Sequence, residues 1–169
     1  MVGKWILLNK LMTENIMILF SIGFTKKTAQ EFFEILKQNE IDCLVDIRLN
    51  PNGQLSRFAF GADLPYFLNR LVNGCKYEYR PDLAPKKELL KEIRTKGSAM
   101  SKDYKLFEKE FNNYLEKESN IENFIDQFNK YQNVVLLCSE PTPEKCHRRL
   151  VVEMLLRKFS DVIKFGGHL

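Results

Sequence analysis

Short apolar runs alternate with amphipathic stretches along most of this chain. The runs at 15–23, 41–48 and 134–138 are nearly continuous, as in strands buried on both faces of a sheet. Two shorter strands are predicted at 75–79 (CKYEY) and 161–165 (DVIKF). Apolar residues at helical spacing predict helices over about 25–39, 63–73, 85–96, 102–117 and 120–131, with one more after the 134–138 strand.

This alternation predicts the fold class. We expect an α/β protein, a single compact domain with a mostly parallel sheet, helices on both faces and a helical insertion around 85–131. Residues 1–15 are predicted to be an N-terminal extension before a domain at 16–169. The apolar patch near Trp5 is too short and too interrupted to span a membrane, so no membrane association is predicted.

Composition narrows the class of protein. The 169 residues are 44% hydrophobic and 28% charged, which is typical of a soluble globular domain. The net charge of +4 includes no run of five like charges, so nucleic-acid binding stays possible but is not favoured. The absence of a C-x-x-C pair favours a reduced, cytoplasmic protein. Cys43 and Cys138 fall in predicted buried strands, where a free thiol is usually a small core residue.

The stretch 134–149, VVLLCSEPTPEKCHRR, contains most of the reactive side chains. It predicts a buried strand, a short loop, and a helix with Thr142 as N-cap and Pro143 in the first position. Cys146, His147 and Arg148 would then lie near a helix N-terminus at the carboxyl edge of the sheet, where open α/β sheets bind ligands.

The reactive residues of this stretch can be interpreted as catalytic or as structural. A helix N-terminus and neighbouring cations would lower the pKa of Cys146 and prepare a nucleophile, whereas its apolar neighbours suggest an inert thiol. His147 is a candidate for acid–base catalysis or for packing against the sheet, and Glu140 is a candidate general base. Because adjacent helical side chains diverge by about 100°, Cys146 and His147 are not expected to pair with each other.

A second polar group follows the strand at 41–48. Asp46 is either a catalytic base or the partner of Arg48 in a structural ion pair. Arg48 offers a planar fork to a carboxylate or phosphate, and Ser56 and Arg57 in the next loop are expected to join it in binding substrate, as is Arg148.

No cofactor or metal is predicted. Several side chains could supply metal ligands, but the C-x-E-x₅-C-H spacing matches no standard zinc pattern. These side chains are Cys138, Glu140, Cys146, His147 and His168.

Taken together, the motifs LVDIR-x-x-P, S-R, LLCSE-x-x-P-x-x-CHR and a terminal His-Leu resemble the family called domain of unknown function 488, from about Ile18 to Leu169. The resemblance implies a compact α/β fold. The family often has Leu-Gly-Gly after the middle tyrosine, where this chain reads Asp82-Leu-Ala-Pro85. The residues that recur in the family correspond here to Ser21, Gly23, Asp46, Arg48, Pro51, Ser56, Arg57, Cys138, Glu140, Cys146, His147, Arg148 and His168.

Three functional hypotheses follow. The first is an enzyme acting on a small anionic ligand, a nucleotide or another phosphate-bearing molecule, with the arginines neutralising the anion. The second is a non-catalytic module that binds a nucleotide or nucleic acid through the same arginines. The third is a structural polar network that serves a protein-interaction role; it would apply if every arginine were paired with a carboxylate and no cavity remained.

Overall fold

The computed structural model describes residues 16–53, 57–95 and 104–169. The predicted extension over 1–15 and the predicted site residue Ser56 lie outside these ranges. The described strands are β1 (Met17–Gly23), β2 (Cys43–Asp46), β3 (Lys76–Tyr79), β4 (Asn133–Cys138) and β5 (Ile163–His168). The described α-helices are α1 (Ala29–Gln38), α2 (Leu64–Leu71), α3 (Lys87–Thr95), α4 (Tyr104–Lys117), α5 (Phe124–Phe128) and α6 (His147–Lys158).

The five strands form one sheet in the order β3-β2-β4-β1-β5, and every pairing between them is parallel. Helices cover both faces, as expected for parallel strands whose crossovers are helical. The α/β class and the parallel sheet predicted from the alternating pattern are therefore confirmed. The predicted helical insertion corresponds to α3, α4 and α5, which precede β4 in the chain.

One face of the sheet packs against α4, α5 and α6. Alternate residues of β1, β2 and β4, among them Leu19, Val45 and Leu136, meet the helices in one core cluster. Phe107 and Phe111 of α4 belong to this cluster and are nearly or fully buried, which agrees with the prediction that the aromatics at helical spacing are core residues.

The other face packs against α1 and α2. A capping box begins α1: the Thr28 hydroxyl accepts a hydrogen bond from the Glu31 N–H at 3.2 Å, and the Thr28 N–H donates to the Glu31 carboxylate at 2.7 Å. Phe32 and Leu36 of α1 are fully buried against Leu44 of β2 and its neighbours on that face.

The start of α6 differs from the prediction. The helix begins at His147, with Cys146 as an N-cap in extended conformation (φ −117°, ψ 139°). Thr142 and Pro143 instead lie in the preceding turns. The Arg148 guanidinium donates hydrogen bonds to the backbone carbonyls of Glu140 and Pro141 and so fixes the start of this loop. Cys146 consequently leaves the helix face on which the sequence pattern had put it.

Within the described residues, no helix is both long enough and apolar enough to cross a bilayer.

Candidate functional site

A cleft of about 330 Å³ opens at the carboxyl edge of the sheet, between the ends of β2 and β4. The chain leaves β2 toward α2 on one face and leaves β4 toward α6 on the other, so the two loops diverge and a crevice opens between them. The cleft is lined by Arg48, Leu49, Asn50, Gly53, Pro85, Leu90, Phe107, Cys138, Ser139, Glu140, Lys145, Cys146 and His147. Its position is the one predicted from the two polar motifs.

Two thiols and an imidazole lie together in the cleft. We call Cys138, Cys146 and His147 the thiol–imidazole cluster; one donor atom from each lies within 4.8 Å of the others. Cys138 Sγ is 3.5 Å from His147 Nδ1 and 3.8 Å from Nε2. The expectation that Cys146 and His147 point apart was wrong, since it assumed that both are helical, and Cys146 is an extended N-cap.

The His147 ring is oriented from two sides. Its Nε2 lies 2.8 Å from the backbone carbonyl oxygen of Ile47, just beyond β2. A carbonyl oxygen can only accept, so Nε2 carries the proton and Nδ1 is left unprotonated in the neutral ring. Phe111 packs edge-to-face against the imidazole at 5.9 Å between centroids. His147 therefore points toward the sheet, as predicted.

The two cluster thiols have opposite pKa shifts. A hydrogen bond from the Cys146 thiol is the largest effect on the pKa of Cys138 and lowers it. Backbone N–H groups of Glu140 and Ser139 and the charge of Arg148 lower it further, and together these effects outweigh burial, which raises it. The same thiol–thiol hydrogen bond, together with burial, raises the pKa of Cys146. The predicted low-pKa thiol is thus Cys138 rather than Cys146. Cys138 ends an apolar strand at the carboxyl edge, a signal in the sequence that could have marked it as more than a core thiol.

Arg148 is a buried cation beside this cluster. Its residue is 1% exposed, and Nη1 donates to the Glu140 carbonyl at 2.6 Å and to Cys146 Sγ at 3.4 Å. It forms no ion pair with a carboxylate of the described residues, and its Nε is buried without a hydrogen-bond partner. A buried guanidinium without a carboxylate favours negative charge nearby, and the charge of Arg148 is one of the causes that lower the pKa of Cys138.

Gly23 lets the β4–α6 loop approach β1. A Cβ at this position would lie 1.7 Å from the Glu140 carbonyl oxygen and 3.0 Å from Arg148 Nη1. The same loop is held to β1 by the Thr25 N–H, which donates to the Ser139 carbonyl at 3.1 Å. A side chain at position 23 would therefore push the loop, and with it the cluster, away from the sheet.

Asp46 and Arg48 form a buried ion pair. Arg48 donates from Nε at 2.8 Å and from Nη2 at 2.5 Å to the two carboxylate oxygens of Asp46, and its backbone N–H donates at 3.1 Å. The Tyr77 hydroxyl adds a fourth hydrogen bond to the carboxylate at 2.8 Å. Asp46 is fully buried, whereas Arg48 reaches the cleft wall. This arrangement agrees with the structural alternative for Asp46.

The other predicted residues are dispersed. Glu140 lines the cleft with an exposed side chain. Arg57 is exposed, stacks on Phe60 at 5.0 Å from the ring centroid, and does not line the cleft. Lys145, an exposed cation on the cleft wall, was not predicted, because no pattern distinguishes one surface lysine from another.

Two residues of the family pattern form a separate pair on neighbouring strands. Ser21 of β1 is fully buried, and its Oγ lies 2.6 Å from Nδ1 of His168 on β5. The Leu169 N–H donates to the Ser21 carbonyl at 2.8 Å and continues this pairing. These contacts attach the residues at the end of β5 to β1.

These features define an α/β protein with a cleft at the switch point of a parallel sheet. A family model described as domain of unknown function DUF488 matches residues 28–155, and the chain belongs to this family. The resemblance deduced from the motifs is thereby confirmed. No curated protein and no solved structure matches the chain.

Proposed function

We propose that this protein is an enzyme that binds a small anionic molecule in the cleft, with phosphate esters such as nucleotides as the first candidates. The observation that carries the proposal is the coincidence of cationic and reactive groups on one cleft wall. Arg48 and Lys145 line the same cavity as the thiol–imidazole cluster. A volume of about 330 Å³ lies within the range of small-molecule sites.

The charge around the cleft supports an anionic ligand. Lys145 is exposed and forms no ion pair with a carboxylate in the described part of the chain, so its ammonium group can contact a ligand at the cleft wall. The N-terminus of α6 begins at His147 and adds a favourable dipole. Arg48 is paired with Asp46 and therefore attracts an anionic ligand less strongly than an unpaired cation would. Arg148 acts indirectly, because its guanidinium holds the loop before α6.

The cluster supports catalysis over passive binding. A thiol whose pKa is lowered beside an oriented imidazole is the arrangement that nucleophilic or metal-assisted chemistry requires. A purely structural network fits Asp46 and Arg48, which satisfy each other. It does not fit Arg148, which has no carboxylate partner among the described residues, or a cleft that remains open.

The test is a thermal-shift screen of the full chain against inorganic phosphate, adenosine monophosphate and other nucleotides, followed by calorimetric titration. We expect Lys145→Ala to weaken binding of the best probe by up to about fivefold, the effect of about 1 kcal/mol. Lys164→Ala, an exposed lysine on β5 away from the cleft, is the matched control. Binding that is equally unaffected in both variants, or no stabilisation by any phosphate-bearing probe, would contradict the proposal.

Catalysis is tested separately with Cys138→Ser. This variant should keep binding the anionic probe and lose turnover of the corresponding phosphate ester. Turnover at the wild-type rate in this variant would contradict a catalytic role for Cys138, and a wild-type chain that binds the probe without turnover would favour a binding module.

A further inference from the structure

The thiol–imidazole cluster has the composition and spacing of a transition-metal site. We propose that Cys138, Cys146 and His147 bind Zn²⁺ through two thiolates and one imidazole, with a fourth coordination position open to the cleft. The sequence spacing had argued against zinc, but that argument concerns distance along the chain. The fold brings together three of the five possible donors, and Glu140 and His168 stay outside the group.

The distances fit the ion. Zinc–sulfur bonds of about 2.3 Å and zinc–nitrogen bonds of about 2.0–2.1 Å at a tetrahedral angle place sulfur and nitrogen about 3.5 Å apart. Cys138 Sγ lies 3.5 Å from His147 Nδ1, and all three donor atoms lie within 4.8 Å of one another.

The surroundings of the donors are those of a metal site. His147 Nε2 donates to the Ile47 carbonyl, so Nδ1 is the nitrogen that can bind a metal; such a second hydrogen bond is typical of ligating histidines. Arg148 Nη1 lies 3.4 Å from Cys146 Sγ and donates to it. Two thiolates neutralise the charge of Zn²⁺, and each thiol releases its proton when it binds the ion.

Three protein ligands leave zinc with one open position, and three ligands are characteristic of catalytic zinc sites. All three residues line the cleft, so the fourth position faces the space in which the anionic ligand is proposed to bind. Zinc there would polarise a phosphoryl oxygen or lower the pKa of a bound water. This second step depends on the proposed function, whereas metal binding by itself does not.

The experiment measures metal binding alone. The full chain is purified without an affinity tag that binds metal, stripped with a chelator, and titrated with Zn²⁺ against a chromogenic competitor. We expect about one zinc ion per chain and at least tenfold weaker binding in Cys138→Ser, Cys146→Ser and His147→Gln. Cys75→Ala, a buried thiol outside the cluster, is the matched control and should bind zinc as the wild type does.

Cobalt(II) reports the ligand set in the wild-type chain, even if a variant fails to fold. Two thiolates should give a thiolate-to-cobalt charge-transfer band with tetrahedral visible bands, and Cys146→Ser should lose about half of the charge-transfer intensity. A folded chain that binds no zinc, or one in which Cys75→Ala weakens binding as much as Cys146→Ser, would overturn the metal site. Metal binding without stabilisation by phosphate probes would retain the site and contradict the anionic ligand alone.

Discussion

The stability that the buried Asp46–Arg48 ion pair contributes can be measured by removing its two charges singly and together. The side chain of Asp46 is fully buried and that of Arg48 is 5% exposed. Removing either partner leaves the other charge buried and uncompensated, so Asp46→Ala and Arg48→Met should each lower the free energy of unfolding by about 3–5 kcal/mol. Total stability of a domain is about 5–15 kcal/mol, so each loss is large but measurable.

The double variant Asp46→Ala/Arg48→Met removes both charges together. Because no isolated charge remains, we expect it to be at least as stable as either single variant, with a coupling energy of about 2–3 kcal/mol. Urea denaturation followed by circular dichroism measures each free energy, provided that the m-value stays constant. Losses that add within about 0.5 kcal/mol would refute the pairing argument.

Tyr77→Phe offers a milder perturbation of the same pair. It removes one hydrogen bond to the buried carboxylate and should lower the free energy of unfolding by about 1.5–3 kcal/mol. Tyr79→Phe is the matched control, since that exposed hydroxyl makes a longer hydrogen bond of 3.3 Å to a backbone carbonyl. Equal effects in the two variants would show that the Asp46 carboxylate does not depend on the Tyr77 hydroxyl.

Three further predictions concern the loop, the thiols and the pH dependence. Gly23→Ala should lower the free energy of unfolding in urea by about 3 kcal/mol or more, because the added Cβ would lie 1.7 Å from the Glu140 carbonyl oxygen. Gly53→Ala is the control and should change it little, because the nearest atom to its added Cβ is 3.7 Å away. In the chelator-treated chain near pH 7, iodoacetamide should label Cys138 before Cys75, because the pKa of Cys138 is lowered whereas burial raises the pKa of Cys75 to about 12. Peptide mass spectrometry gives the order of labelling, and the reverse order would contradict the assignment of Cys138 as the reactive thiol. Burial raises the pKa of Asp82, but hydrogen bonds and charge from its partner Arg80 outweigh burial and hold that pKa below its ordinary value. The stability that Asp82 contributes is therefore present above its unfolded-state pKa and is lost as the pH falls through its folded-state pKa. Asp82→Asn should therefore flatten the loss of stability in acid, and an unchanged slope in pH-dependent urea melts would contradict this.

The fold was largely predictable because it depends on local pattern. Continuous apolar runs predicted the buried parallel strands, and residues such as Phe32 and Phe111 at helical spacing predicted which helix faces are buried. The same patterns located both polar motifs at the carboxyl ends of strands. In a parallel sheet those ends share one edge, so the sequence alone predicted that the two motifs lie near each other.

The constitution of the site was decided by tertiary structure. The loop before α6 is held by Arg148, whose guanidinium donates to the Glu140 and Pro141 carbonyls from a position later in the chain. Cys146 is an extended N-cap rather than a helical residue, and its thiol lies beside Cys138 and His147.

The sequence by itself thus determined the parallel α/β architecture and the edge that carries the cleft, because hydrophobic periodicity and strand ends are local properties. Of the predicted site residues, Arg48, Glu140, Cys146 and His147 line the cleft. Only the tertiary structure decided which thiol has the lowered pKa, which arginine is paired with a carboxylate, and that three donors lie within reach of one ion. These outcomes depend on burial and on contacts between residues far apart in the chain, such as His147 with the carbonyl of Ile47, and no spacing along the sequence encodes them.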